Sequence, residues 1–233
     1  MKYVIFSDLH GNQFALEAML NQLNEEKIEY DRMIFCGDIL GYYYGQEEIV
    51  DILLQMDNLL AVRGNHDQYG IDISESKKDA YDMYPKYGHS YGMTSPKVLD
   101  YVRGLPLQIE FEDEGKKYCI LHGTPYDVLE GRQYPADDIP VEVAECYQKY
   151  DVVISGHTHF RMDRVCGRCR IINPGSLGQQ RDGLGFVYAI YDSLTQELEY
   201  KNITFDIEAL EGEINKYDKD LKKLSEILHR GEK

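Results

Sequence analysis

Five short apolar runs in this chain end alike, and that shared ending restricts what it can fold into more than any other feature. The run at residues 2–7 leads into Asp8-Leu9-His10-Gly11-Asn12, Met33–Cys36 into Gly37-Asp38, and Leu59–Val62 into Gly64-Asn65-His66-Asp67. The run KKYCIL stops at His122-Gly123, and DVVI stops at Ser155-Gly156-His157-Thr158-His159. Short apolar runs bounded by turn residues read as buried strands. Taken singly, each polar residue has an ordinary role: Asp8 or Asp38 caps a following helix, Asn65 sits in a turn, His122 is a satisfied core residue. Taken together, carboxylates, an amide and imidazoles at five successive strand ends, with five of the seven histidines among them, converge on one edge of a sheet as a metal-ligand set.

The intervening segments support this. Leu16, Met19, Leu20 and Leu23 have amphipathic-helix spacing, and residues 47–56 read as a second helix. Strand-helix alternation predicts a parallel arrangement with ligands beyond the carboxyl ends of the strands. Residues 69–103, rich in Tyr, Ser, Gly and Lys, break the pattern and read as a cap-like excursion over the site. From residue 107 the spacing predicts a hairpin around Asp113-Glu114-Gly115, a helix at 139–149, a buried strand at 151–155, and hairpins around Gly167-Arg168 and around 192–195. Two sheets packed between helices fit this order. A domain over 1–205 is then followed by a C-terminal helical segment, 206–233. Within it Ile207, Leu210, Ile214, Tyr217, Leu221, Leu224 and Leu228 advance by threes and fours, a seam that either packs on its own domain or pairs two copies as a homodimer.

Charge and composition exclude several classes. A net charge of −16 over 233 residues speaks against nucleic acid as a partner, although carboxylates that bind metal reverse the local field. No apolar run approaches the ~20 residues that span a bilayer. The first residues meet Asp8 without a signal-peptide pattern, and the five cysteines suggest no disulfide framework, so a cytoplasmic protein is expected. Cys166-Gly167-Arg168-Cys169 reads as a two-residue hairpin loop, because no second cysteine pair completes a zinc site.

Mixed oxygen and imidazole donors without cysteine suit Mn, Fe, Co, Ni or Zn, and they outnumber what one ion uses, so two divalent ions are expected. A bridging carboxylate would hold them at about 3.5–4 Å, the separation of two-metal phosphate chemistry. In this order D-x-H-G-N, G-D, G-N-H-D, an isolated H-G and G-H-T-H resemble the calcineurin-like metallophosphoesterase superfamily, from residue 1 to about 200. Asp8–Asn12 and the stretch Asn173-Pro174-Gly175-Ser176-Leu177-Gly178-Gln179-Gln180-Arg181 resemble its small bacterial and archaeal phosphodiesterase branch.

The resemblance implies an α/β, four-layer αββα sandwich of two mixed sheets flanked by helices. It implies Asp8, His10, Asp38 and His159 on one ion and Asp38, Asn65, His122 and His157 on the other, with Asp38 as the bridge. His157 and His159 then face different ions, and Gly156 lets the chain turn between them. His66 resembles the superfamily's outer-sphere histidine, which stabilises the transition state or protonates the leaving alkoxide. Asp67 either orients that imidazole or caps a helix. Arg181 either clamps a phosphate oxygen through its fork of donors or faces solvent. Tyr42, Tyr43 and Tyr44 either stack on an aromatic group of the substrate or pack internally.

The expected activity is hydrolysis of a small-molecule phosphodiester by a hydroxide bridging two ions, with no protein nucleophile. A phosphomonoesterase or protein phosphatase is the enzymatic alternative. A binding scaffold is the non-enzymatic one, and intact Asn65-His66 speaks against it.

Overall fold

The computed structural model describes residues 1–76, 80–83 and 85–230. The parts of the 69–103 excursion and of the C-terminal segment at 77–79, 84 and 231–233 lie outside the described residues. The strands are β1 (Lys2–Phe6), β2 (Arg32–Phe35), β3 (Leu59–Ala61), β4 (Gln108–Asp113), β5 (Lys116–Leu121), β6 (Val152–Ile154), β7 (Arg161–Cys166), β8 (Cys169–Pro174), β9 (Val187–Asp192) and β10 (Leu198–Asn202). The helices are α1 (Gln13–Glu25), α2 (Gln46–Leu53), α3 (Asn65–Glu75), α4 (Ala80–Met83), α5 (Pro96–Gly104), α6 (Val141–Tyr147), α7 (Ile207–Tyr217) and α8 (Lys222–Leu228).

Side-chain alternation sorts these elements into layers. Tyr3 and Ile5 of β1 point to one face, where they meet Ile34, Tyr118, Ile120, Ile154 and Ile172. Val4 and Phe6 point to the other, into a cluster with Phe35 and the apolar stripes of α1, α2, α5, α7 and α8. Cys119, Leu121, Val153 and Ile171 pack on a third cluster with Tyr147 of α6. Each large apolar side chain so buried contributes ~1.5–3 kcal/mol, and a one-residue slip would exchange the faces, so the register is strongly specified. The result is two five-stranded mixed sheets, in the orders β10-β9-β1-β2-β3 and β4-β5-β6-β8-β7, between outer helices. This is the four-layer αββα sandwich of two mixed sheets that the resemblance implies.

The layering corrects one expectation. The five ligand-bearing strand ends do not share one sheet edge. β1, β2 and β3 are mutually parallel in one sheet, and β5 and β6 are parallel in the other. Face-to-face packing brings the two sets of carboxyl ends together.

The 206–229 stretch is also not one helix. α7 stops at Tyr217, and Asp218 takes an extended φ of −142°. Its carboxylate accepts from Tyr44 Oη (2.7 Å), His89 N (2.9 Å) and His89 Nδ1 (2.8 Å), contacts that a continuing helix would lose. All seven seam residues belong to the cluster that packs on β1 and β2. The β4-β5 turn places Glu114 and Gly115 at φ of 50° and 70°, the left-handed pair of a two-residue hairpin. Cys166 and Cys169 are register partners on either side of the β7-β8 turn, with free thiols. No described helix is long and apolar enough to cross a membrane.

Candidate metal centre

The ligand loops leave their strands through left-handed backbone. Asp8, His10, Asp38, His157 and His159 have φ of 56°, 52°, 69°, 67° and 63°, and Tyr42 beside them has 69°. Asp, Asn and His are the side chains that tolerate this region best, at roughly 1–2 kcal/mol each. Backbone bonds between neighbouring loops hold the conformation: Asp8 N donates to Gly37 O (3.0 Å), His10 N to Asp38 O (3.0 Å) and Gly11 N to Ile39 O (2.8 Å).

Gly156 serves a different purpose from the one expected. Its neighbours His157 and His159 make the left-handed turns, and what Gly156 supplies is room: a Cβ there would lie 2.0 Å from Ser7 Oγ and 2.9 Å from Asp8 Oδ2.

Three imidazoles are fixed by backbone carbonyls. His10 Nδ1 donates to Leu40 O (2.9 Å), His122 Nδ1 to Cys36 O (2.7 Å) and His159 Nδ1 to Gln179 O (2.5 Å). This fixes each ring and turns its Nε2 toward the interior. His159 Nε2 lies 3.1 Å from His10 Nε2 and 3.3 Å from Asp8 Oδ1. His122 Nε2 lies 3.2 Å from Asp38 Oδ2. The contacts mostly cross the interlayer gap, oxygens from the first sheet meeting imidazoles from the second.

Burial keeps most of these rings neutral, as ligands must be. It lowers His10 to about 4 and His157 to about 3, and holds His159 well below the ordinary histidine value. For His122 burial acts in the same direction, but the Asp38 carboxylate outweighs it and raises the ring to about 9. Burial likewise pushes against ionisation of Asp38, yet His122 and His66 hold it well below the carboxylate range. Asp8 goes the other way: burial raises it to about 7, with His122 opposing and the charge of Asp38 adding to the rise.

The Asn65 amide is oriented by its own neighbours. Its Nδ2 donates to Tyr69 Oη (3.2 Å) and Glu130 Oε1 (3.3 Å), which turns Oδ1 toward His122 Nε2 (3.0 Å) and His157 Nδ1 (3.1 Å). His157 is held from outside by Arg132, whose Nε donates to its Nε2 (3.0 Å).

Asp67 is a cap and not an orienting partner for His66. Its carboxylate accepts from the backbone N–H groups of Asp38 (3.0 Å), Ile39 (2.8 Å), Leu40 (3.1 Å) and Gly64 (2.9 Å). It thereby fixes the loop that carries Asp38 and the carbonyl that orients His10. Asp38 also caps α3, accepting from His66 N through Oδ1 (2.8 Å), and so turns Oδ2 inward.

The donor set fits divalent ions. Asp8 Oδ1 and Asp38 Oδ2 are buried and, among the described residues, accept no hydrogen bond; what faces them is imidazole nitrogen, His159 Nε2 at 3.3 Å and His122 Nε2 at 3.2 Å, an oxygen–nitrogen donor set that a divalent ion would satisfy. Ligand atoms of Asp8, His10 and His159, of Asp8, Asp38 and His122, and of His10, Asp38 and His66 each lie within 4.8 Å of one another. Asn65 and His157 adjoin these groups through Asn65 Oδ1. His66 differs from the others in that its Nδ1 meets Tyr91 Oη (2.9 Å).

Above the centre opens a cavity of about 370 Å³, lined by Asp38, Asn65, His66, His157, His159 and Arg181 together with aromatic and basic residues of the rim. All seven expected ligands, His66 and Arg181 thus come together. Arg181 Nη2 donates to Tyr42 Oη (3.0 Å) and Gln179 Oε1 (2.8 Å). Tyr42 stacks on His66 (centroids 5.2 Å) while Tyr43 and Tyr44 pack internally, Tyr43 Oη donating to Leu224 O (3.1 Å). Sequence reasoning missed Tyr91, Arg132 and Glu130, which lie outside the motifs, and the carbonyls of Cys36, Leu40 and Gln179, which any residue type would offer.

A fold with two packed mixed sheets and buried His/Asp clusters at their joined ends matches a recognised pattern. The model of the calcineurin-like phosphoesterase superfamily domain matches residues 1–196, and the chain belongs to that superfamily. It is 32% identical over 225 residues to the uncharacterised protein MJ0912 of Methanocaldococcus jannaschii, a match covering 87% of each chain. It is 27% identical over 207 residues to phosphodiesterase MJ0936 of the same organism, covering 88% of this chain and 100% of the other. The crystal structure of a metallophosphoesterase from Sphaerobacter thermophilus superposes with a TM-score of 0.78 at 23% identity, over 99% of both chains.

Proposed function

We propose that the chain is a metal-dependent phosphodiesterase with two divalent ions, one on Asp8, His10, Asp38 and His159 and the other on Asp38, Asn65, His122 and His157. The observation that carries this reading is the pair of buried carboxylate oxygens, Asp8 Oδ1 and Asp38 Oδ2, which accept no hydrogen bond among the described residues and face imidazole Nε2 atoms whose opposite nitrogens are tied to carbonyls. When bound, such ions acidify water to give the nucleophile and neutralise charge on the non-bridging phosphate oxygens. The name of the relative MJ0936 supports the diester.

The protein groups divide the remaining work. Burial holds His66 well below the ordinary histidine value, so its ring is neutral. With Tyr91 Oη donating to Nδ1, the ring would present an Nε2–H that hydrogen-bonds the leaving oxygen and stabilises its charge as the P–O bond breaks and the water oxygen bonds to phosphorus, the alkoxide then taking its proton from solvent. Arg181 receives a phosphate oxygen with its Nη donors, no carboxylate competing for it among the described residues.

The test compares turnover of bis-p-nitrophenyl phosphate and p-nitrophenyl phosphate by protein loaded with Mn, Fe, Co, Ni or Zn in turn. Diester turnover exceeding monoester turnover is expected, and the reverse makes the chain a phosphomonoesterase. His66→Ala should keep its metal and lose ~10²–10⁴-fold in kcat; metal lost together with activity would make His66 a ligand. Absence of hydrolysis with every ion would leave the scaffold reading.

A further inference from the structure

The chain carries 41 acidic against 25 basic residues, yet the rim of the cavity reverses that balance. Lys86, Arg132, Arg181, Lys223 and Arg230 all line it, and Asp38 at its floor is the sole carboxylate in that lining. Among the described residues only Arg132 of the five lies near a carboxylate, Glu130 at 3.8 Å. Cations are therefore concentrated and left unneutralised at one place on a protein that elsewhere has acid in excess. Such a field favours an anion with more charge than one phosphate, the first of which the floor already accommodates.

Three of these cations come from outside the ligand loops, and the wall they stand on is fixed. Lys86 lies in the excursion, its Nζ 4.6 Å from the centroid of Tyr87. Lys223 and Arg230 belong to α8 and its C-terminal turn, beyond the residues that the superfamily model matches. Leu224, Ile227 and Leu228 are buried beneath them. Tyr43 Oη bonds the carbonyl of Leu224 at 3.1 Å, and Gln180 Nε2 bonds that of Arg230, so α8 is joined both to the loop after Asp38 and to the loop that carries Arg181. Asp218 ties the start of the same segment to His89 of the excursion at 2.8 Å.

We propose that Lys86, Lys223 and Arg230 form a second anion subsite, and that the substrate is a small phosphoester bearing a second, non-reacting phosphate remote from the scissile one. A cavity of about 370 Å³ suits a small molecule of that kind. Tyr42, Tyr87 and Tyr134 also line the cavity, and aromatic side chains there suit a planar group joining the two ends of such a molecule. The proposal rests on the phosphoesterase reading of the floor.

The test uses two substrates that differ only in the remote phosphate: the p-nitrophenyl ester of thymidine 5′-phosphate, and the same ester with an added 3′-phosphate. The manganese-loaded protein should prefer the 3′-phosphorylated ester at least about tenfold in kcat/KM, as a charge-assisted contact implies. In Lys86→Met/Lys223→Met/Arg230→Met that ratio should fall toward unity. Binding is read separately by calorimetry with thymidine 3′,5′-bisphosphate against thymidine 5′-phosphate, with and without metal, and should show the same preference and the same loss. Equal affinity for the two nucleotides in the unaltered protein, or a preference that survives the triple substitution, overturns the subsite. Absence of turnover on both esters overturns the phosphodiesterase reading alone, since the calorimetric comparison still decides the subsite.

Discussion

The floor and the rim of the cavity are built on opposite principles. The floor is rigid: His10, His122 and His159 are tied to carbonyls, His157 is held by Arg132, the Asn65 amide is held by Tyr69 and Glu130, and the loops are locked in left-handed backbone by bonds to one another. Its polar side chains are buried, and among the described residues Asp8 Oδ1 and Asp38 Oδ2 accept no hydrogen bond. The rim carries Arg132, Arg181 and three exposed cations, Lys86, Lys223 and Arg230, the last three from two segments far apart in the chain that are joined through Asp218 and the carbonyls of α8. The difference teaches where chemistry and selection reside. A floor fixed this closely has little freedom to vary, whereas Lys86, Lys223 and Arg230 of the rim can change their charge without disturbing an expected ligand.

The largest effect should come from breaking the floor at its centre. Asp38→Ala removes the oxygen that faces His122, His10 and His66 and also the cap of α3. Both ions should be lost together on dialysis, with turnover down by ~10³-fold or more. Retention of one full equivalent of metal by atomic absorption would show that Asp38 is no bridge and that the floor is two separable halves.

The next test concerns protons. A cation needs Asp8 ionised and His122 neutral, whereas in the metal-free protein these groups hold protons up to about pH 7 and about pH 9 respectively. Loading therefore releases protons, and affinity should rise with pH. The slope should correspond to about one proton between pH 7 and 9, where His122 alone is displaced, and should steepen below 7 as Asp8 joins it. Chelator competition across this range checks the prediction, and a flat profile would mean that neither group meets the ion.

The smallest effect should lie where floor and rim touch. Tyr91 comes from the excursion yet bonds Nδ1 of His66 at 2.9 Å. Tyr91→Phe should lower kcat about 3- to 10-fold, the worth of one hydrogen bond, with metal content unchanged. Loss of metal in this variant would extend the floor into the excursion and blur the distinction between the two.

Legibility in the sequence follows the same division. Asp8, Asp38, Asn65 and the histidines could be read because ligand chemistry requires particular side chains, and because apolar runs announce the strands that carry them. The sheet that each strand joins was less legible, since alternation identifies a buried strand but not its neighbours; hence one sheet edge was expected where two meet. The orienting carbonyls of Cys36, Leu40 and Gln179 leave no mark in sequence, because every residue has one. The break at Asp218 was hidden for a related reason: spacing by threes and fours runs on through it, and what stops the helix is contact with Tyr44 and His89, each more than a hundred residues away. Tyr91 and Arg132 come from segments without periodicity, where a tyrosine or an arginine signals nothing by itself.

The first sheet supplies Asp8, His10, Asp38 and Asn65, and the second supplies His122, His157 and His159, with a buried cluster that includes Ile5, Ile34, Tyr118 and Ile154 between the layers. The candidate metal centre is thus a seam, and the spacing across it is gauged by the thickness of that filling. A methyl group trimmed from the middle of the sandwich, touching no ligand, would act as a shim withdrawn from under one jaw of a vice.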